Sequence, residues 1–299
     1  MTFNLKPLIY LLLFSTNGIS QPFVDLFNSR FQSFPAVSYM GESKKNISAT
    51  HLQTNVLAPI VRKNKDVILM GINYYLLNFK VKGDTSFSTS LRAHSIHAGY
   101  NKQWKNEKWK TLFLFIVRAN SRLANIASED FQYGGVILFN YKHKENLRYR
   151  LGLYYNHEYF GNFFIPLVGI EWKINKTLNL FGDLPNSLSL EKKLNEKIYA
   201  GLIYLSLTTS YRPDNTSYSN DFVREGEKGV GHNQIKLFLN YYLTKHLVIF
   251  AEAGRTYGRS FQLFRANIDT DLSNSVFRET TDSFLFNGGV AFRFRKEEF

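Results

Sequence analysis

From about residue 30 onward the chain carries no sustained 3.6-residue apolar period. Short β-prone runs recur instead, separated by polar turns, and apolar side chains alternate within them. In 231–243 (GHNQIKLFLNYYL), Ile235, Leu237, Leu239, Tyr241 and Leu243 share one face. Gln234, Lys236, Asn240 and Tyr242 share the other, interrupted by Phe238. In 147–158, Leu147, Tyr149, Leu151, Leu153 and Tyr155 oppose Arg148, Arg150, Gly152, Asn156 and Glu158. In 285–295, Phe286, Val290, Phe292 and Phe294 oppose Asn287, Ala291, Arg293 and Arg295. One apolar face is expected of any half-buried strand. The second face is the unusual one, because it mixes cations, Asn and Gly with large polar aromatics.

The connections sort by length. Tight polar turns fall at 62–66, 104–108, 143–146, 175–177, 194–197 and 244–246. Longer loops fall at 82–90, 121–130, 159–164, 212–230 and 260–282. They mostly alternate, which places short turns at one rim and long loops at the other. That is the outer-membrane barrel signature, with the short turns periplasmic. A break at Gly182-Asp183-Leu184-Pro185 keeps 212–230 on the long-loop rim, and Pro185 cannot donate within a ladder. The same alternation requires an ascending strand, 33–42, before 47–60.

The expected fold is therefore all-β, a transmembrane antiparallel β-barrel of about 14 strands, with 12 as the alternative. The strands are 33–42, 47–60, 67–80, 91–103, 109–120, 131–142, 147–158, 165–174, 177–183, 187–193, 197–211, 231–243, 247–259 and 283–295. The expected layout is a cleaved signal peptide at 1–20, a periplasmic segment at 21–32 and the barrel at 33–299.

Composition supports this by exclusion. Of 299 residues none is cysteine, so disulfide frameworks, thiolate metal sites and catalytic thiols are excluded. A mean hydropathy of −0.24 and a 20% charged fraction exclude a helical membrane bundle. Beyond residue 14 no apolar run approaches the ~18–20 residues of a spanning helix. The leader has Lys6 as its basic flank, 8–14 as its apolar core and Gly18-Ile19-Ser20 before a cut at Gln21. Aromatics make up 16% and cluster near strand ends, as at Trp104, Trp109 and Tyr154-Tyr155, which suits interfacial girdles. Gly289-Val290-Ala291-Phe292-Arg293-Phe294 resembles the final-strand pattern read by the outer-membrane assembly machinery, and the chain ends in Phe299.

Five further segments carry a family resemblance. They are Leu57-Ala58-Pro59, Gly71-Ile72-Asn73-Tyr74-Tyr75, Gly169-Ile170-Glu171-Trp172-Lys173-Ile174-Asn175, Leu180-Phe181-Gly182-Asp183-Leu184-Pro185 and the glycine–aromatic last strand. Together they resemble a Bacteroidota family of outer-membrane β-barrels, domain of unknown function 6268, across essentially the whole mature chain. The resemblance implies a fold and the outer membrane of a Gram-negative bacterium. It implies no substrate and no mechanism.

Candidate chemistry is sparse. His94 and His97 stand at i and i+3, on opposite faces of a strand, and cannot chelate one metal together. Ser95 and His97 share a face, and Ser206 with His232 is a second Ser–His candidate. No G-x-S-x-G elbow or phosphate loop accompanies them, so an embedded lipid hydrolase is the third reading. Gly134-Gly135 and Gly288-Gly289 lie inside strands, where they permit bends or relieve crowding in the lumen.

Basic residues outnumber acidic ones by 37 to 24. In an exported barrel this surplus suits lipopolysaccharide phosphates and the lumen rather than nucleic acid. The candidate lumen-lining residues are Arg148, Arg150, Glu158 and Lys173, and further along the chain Lys236, Glu252, Arg293 and Arg295. Either the cations select anions, or Glu158, Glu171, Glu191 and Glu252 tie them into wall-bracing pairs. Tyr154, Phe238 and Tyr242 are placed to narrow the bore, and the apolar spacing of Phe261, Leu263, Phe264 and Ile268 suits an inward-folded plug.

The leading expectation is a monomeric pore or ligand-binding barrel with a polar, mildly cationic lumen. It is not an enzyme, it uses no cofactor or metal, and its partners are lipid, lipopolysaccharide and the assembly machinery. A closed structural or docking barrel is the alternative.

Overall fold

The computed structural model describes residues 22–39, 42–81, 89–120, 128–211, 222–225, 232–258, 260–264, 276–279 and 282–295. Fourteen strands form a closed antiparallel barrel. They are β1 (Phe23–Tyr39), β2 (Glu42–Val61), β3 (Val67–Val81), β4 (Thr89–Gln103), β5 (Trp109–Ala119), β6 (Phe131–Lys144) and β7 (Leu147–Glu158). Next come β8 (Gly161–Lys173), β9 (Leu178–Leu184), β10 (Ser187–Lys193) and β11 (Ile198–Leu207). After β12 (Thr209–Tyr211) and β13 (Phe222–Glu225) the wall resumes with β14 (His232–Tyr242) and β15 (Leu247–Tyr257). It ends with β18 (Phe284–Arg295), after β16 (Ser260–Phe264) and β17 (Val276–Glu279). The first and last strands close the ring, with Phe23 opposite Arg295 and Ser33 opposite Phe286. Strands β12, β13, β16 and β17 form a separate four-stranded sheet.

The two faces are inverted relative to a water-soluble domain. Along β14, Ile235, Leu237 and Leu239 are exposed while Gln234, Lys236 and Asn240 are buried. Leu237 is 64% exposed and Lys236 1%. The same inversion runs around the ring, with Ile72, Ile96, Leu151 and Val168 outward. A wall that hides Lys, Gln and Asn and presents Ile and Leu is stable only in an apolar solvent. Among the described residues no helix is long and apolar enough to cross a membrane. Trp104, Trp109, Tyr149 and Trp172 stand exposed at the short-turn rim, with Trp109 packed on Tyr141 at 4.8 Å between ring centroids. These amphipathic rings belong at a lipid–water interface.

Three boundaries differ from the sequence expectation. β1 starts at Phe23, so most of the segment 21–32, expected as periplasmic, is barrel wall. A register shift between Asp25 and Phe27 turns Phe23 and Asp25 toward the interior. The loop expected at 159–164 is a two-residue turn, Tyr159-Phe160, followed by Gly161 at φ 106°, which side-chain-bearing residues rarely adopt. The strand expected at 197–211 leaves the wall after Leu207, which pairs with His232, and continues inward as β12.

Candidate functional site

The short-turn mouth is closed by side chains that meet across the bore. Phe23 on β1 and Phe181 on β9 lie on nearly opposite walls, yet their ring centroids are 6.0 Å apart, edge to face. Arg293 grips Asp25 with two bonds, Nε to Oδ1 at 2.5 Å and Nη2 to Oδ2 at 2.9 Å. Its guanidinium carbon lies 3.5 Å from the Phe23 ring centroid. Arg295 spans from β18 to β10, where Nη2 reaches Glu191 Oε1 at 2.5 Å. It also donates to the Tyr242 hydroxyl at 3.1 Å and stacks over Tyr199 at 3.7 Å. Two recesses of about 210 and 470 Å³ enter from this mouth, and neither shares a lining residue with the chamber above.

The long-loop half is crossed by the strap that follows β11. Ser210 donates its backbone N–H to Glu158 Oε2 at 3.0 Å and its hydroxyl to the same oxygen at 2.6 Å. Its carbonyl accepts from Asn120 Nδ2 at 2.6 Å. Its Oγ accepts from Gln132 Nε2 at 3.1 Å and from the Tyr159 N–H at 3.1 Å. Tyr211 stacks on Tyr75 with centroids 5.8 Å apart and joins a buried apolar cluster with Phe34, Leu77, Leu91 and Leu285. The expected plug was Phe261, Leu263, Phe264 and Ile268. Their side chains lie outside the described residues, and the inward segment the structure shows is 208–211.

Between the closures lies a chamber of about 680 Å³. Leu112, Ile116, Val136, Leu138, Ile165 and Leu167 make one side apolar. Arg118 on β5 and Arg150 on β7 stand within that side, and Arg30, Gln32, Asn73 and Ser95 line the wall of β1, β3 and β4. Gln32 donates across the interior to Gln234 at 3.1 Å, three strand positions away.

Every candidate lumen residue has a definite place. Arg148 pairs with Glu171 at 3.0 Å, its direct cross-strand neighbour. Arg150 pairs with Asp183 at 2.7 Å. Glu158 holds the strap and receives Arg118 at 3.4 Å. Lys173 is exposed at the short-turn mouth, on the smaller recess. Lys236 and Glu252 pair at 2.6 Å, both buried, and Arg30 adds a second cation to Glu252 at 3.1 Å. The cationic lining is thus largely neutralised, as the pairing alternative expects. Sequence reasoning missed Asp25, Arg30, Arg118 and Asp183, since nothing local marks a charge whose partner stands on another strand, dozens to hundreds of residues away.

The aromatics and glycines fill space. Tyr154 lines the chamber, and Phe238 and Tyr242 are buried inside the wall. A Cβ on Gly201 would stand 2.8 Å from the Phe238 ring, and one on Gly289 2.5 Å from that of Phe250. Glycine there makes room for the inward ring of the neighbouring strand.

Ser95 Oγ does meet His97 Nε2, at 3.0 Å, but inside the chamber and not on the lipid face. Asn73 Nδ2 competes for the same ring nitrogen at 3.2 Å. Among the described residues no carboxylate bonds the imidazole, so the orienting acid of a triad is missing. His94 packs beside Tyr74 on the other face of β4, and the His232 side chain lies outside the described residues. No group of three or more possible metal-ligating side chains occurs among the described residues.

A closed fourteen-strand ring with a polar interior, an apolar exterior and short turns at one rim defines an outer-membrane-type β-barrel. The chain belongs to the family of the domain of unknown function DUF6268, whose model matches residues 46–293. Among solved structures it is similar to the COG4313 outer membrane channel from Pseudomonas putida F1, at 8% identity and a TM-score of 0.50. That match covers 93% of this chain and 98% of the other. It is also similar to the NanC porin at 12% identity and a TM-score of 0.38, covering 89% of this chain and 98% of that one. No curated protein matches.

Proposed function

We propose that this protein is an outer-membrane channel for small solutes, closed at rest at its short-turn mouth and by the strap. It is not a permanently open pore. The observation that carries this reading is the 680 Å³ chamber, bracketed by the Phe23–Phe181 and Arg295–Glu191 contacts below and by the Ser210–Glu158 contact above. A barrel with a purely structural role has no need of a chamber. Pockets of ~300–1,000 Å³ are the size that encloses small ligands. The short turns face the periplasm and the long loops the exterior. Closed wall-bracing is the second reading, favoured by the ion pairs between nearby strands and by Arg295–Glu191 across the bore.

Ion leak from liposomes separates the two. The wild-type barrel should hold a chloride gradient. A variant with Phe23→Ala, Phe181→Ala and Arg295→Ala, in which a short turn replaces 208–231, should release it. A variant that folds, by its heat-dependent gel shift, yet stays tight would sink the channel reading.

A further inference from the structure

The wall has a step on one side. β8 pairs with β7 along its whole length, from Glu158–Gly161 to Leu147–Trp172. On its other edge it pairs with β9 only from Val168–Leu184 downward. Residues 161–167 thus have no strand on that side among the described residues, a free edge of ~20 Å at about 3.3 Å per residue. The cause is the length of β9 and β10, seven residues each, whose hairpin at Pro185-Asn186 forms the floor of the step. Pro166 sits in the free edge, a position where a missing N–H costs no ladder bond.

The depth of this notch matters. Its floor row is Leu151, Val168 and Leu184, paired side by side. Leu151 and Val168 are 62% and 61% exposed, among the most outward apolar residues of the wall. The notch therefore opens onto the hydrocarbon band, not onto water. Ile165, Leu167, Pro185 and Asn186 border the notch and also line the chamber.

Just inside the floor stands Arg150. Its side chain is 6% exposed and its Nη2 bonds Asp183. Its Nε and Nη1 meet no acceptor among the described residues. Buried guanidinium donors without acceptors are costly, and an anionic oxygen is the group that satisfies them. Of the three arginines that line the chamber, Arg30 is paired with Glu252 and Arg118 with Glu158, and Arg150 shares Asp183, the one carboxylate in the lining. On the same side of the wall as Arg150 lie the apolar side chains of Val136 and Leu138, on the neighbouring strand β6, and of Leu112 and Ile116, on β5.

We propose that the chamber binds a single-chain amphipathic anion, such as a medium-chain carboxylate, which reaches it sideways from the lipid through the notch and places its carboxylate on Arg150. This deepens the channel reading by naming the substrate class.

The test is equilibrium binding to the full mature barrel in lipid nanodiscs, with empty nanodiscs subtracted. The probes are decanoate, decanol and decyltrimethylammonium. Wild type should take one decanoate saturably, at least roughly tenfold more tightly than the cation of equal chain length. Arg150→Gln with Asp183→Asn, which removes both charges of the pair, should weaken decanoate roughly tenfold or more and leave decanol unchanged. Leu138→Asn, on the apolar side, should weaken both. No saturable decanoate above the empty nanodisc, or equal affinity for anion and cation, overturns the proposal without using any variant. Myristate, which resides in lipid, should also occupy the site. Binding of water-borne hexanoate alone would move access to a mouth and overturn the sideways route. Chloride leak from the opened variant is independent of these results, so the channel reading stands or falls separately.

Discussion

Arg295 on the last strand and Glu191 on β10 are bonded at 2.5 Å across the barrel interior, four strand positions apart. Both side chains are buried, at 5% and 0% exposure. Removing one partner strands the other charge, which typically costs about 3–5 kcal/mol, while replacing both by apolar groups is often neutral. Arg295→Met alone should therefore lower the urea midpoint of the refolded barrel substantially. Arg295→Met combined with Glu191→Leu should recover most of the loss.

The strap is tied to the wall by Glu158. One carboxylate oxygen accepts both the N–H and the hydroxyl of Ser210. Glu158→Ala should raise the exchange rate of the Ser210 amide at least about tenfold, given the strength of a charge-assisted bond. Exchange at the amide of Leu237, in the wall, should stay unchanged. Equal acceleration at both positions would mean that the barrel, not the strap, had loosened.

The inverted faces predict opposite outcomes for one kind of substitution. Leu237→Arg puts a charge on the lipid face, at a cost of about 2–4 kcal/mol near the bilayer midplane. It should lower the yield of folded barrel in vesicles. Gln53→Lys places a charge on the chamber wall and should fold normally.

Asp66 pins the first short turn and lies outside the membrane-spanning segments. Burial alone would raise its carboxyl, but bonds from the Tyr100 hydroxyl, the Gln103 N–H and Asn64, with the Lys102 charge, outweigh burial and hold it below its usual value. A depressed carboxylate stabilises the fold above its unfolded value and loses that contribution as pH falls through its folded one. Wild type should lose stability relative to Asp66→Asn as pH drops below about 4, and the two should converge in acid. Near pH 7 the variant should be weaker by about 1–2 kcal/mol.

Strands were legible in the sequence because the side-chain period of two is a local signal. Ile235 to Leu243 shows its lipid face without any partner. The strap was not legible, since Leu207-Thr208-Thr209-Ser210-Tyr211 continues the β-prone run of β11. What turns it inward is Glu158, 52 residues earlier. The short-turn closure was hidden for the same reason, because Arg295 and Glu191, which meet across the bore, are 104 residues apart. The notch was half legible, as the break before Pro185 predicted two short strands without revealing the free edge of β8.

Single-channel conductance of the refolded full barrel in a planar bilayer is the most direct test of a chamber closed at both ends. Wild type should stay silent, and the variant lacking the Phe23, Phe181 and Arg295 side chains and the strap should give stable open steps. Steady open steps from the wild type would contradict the account.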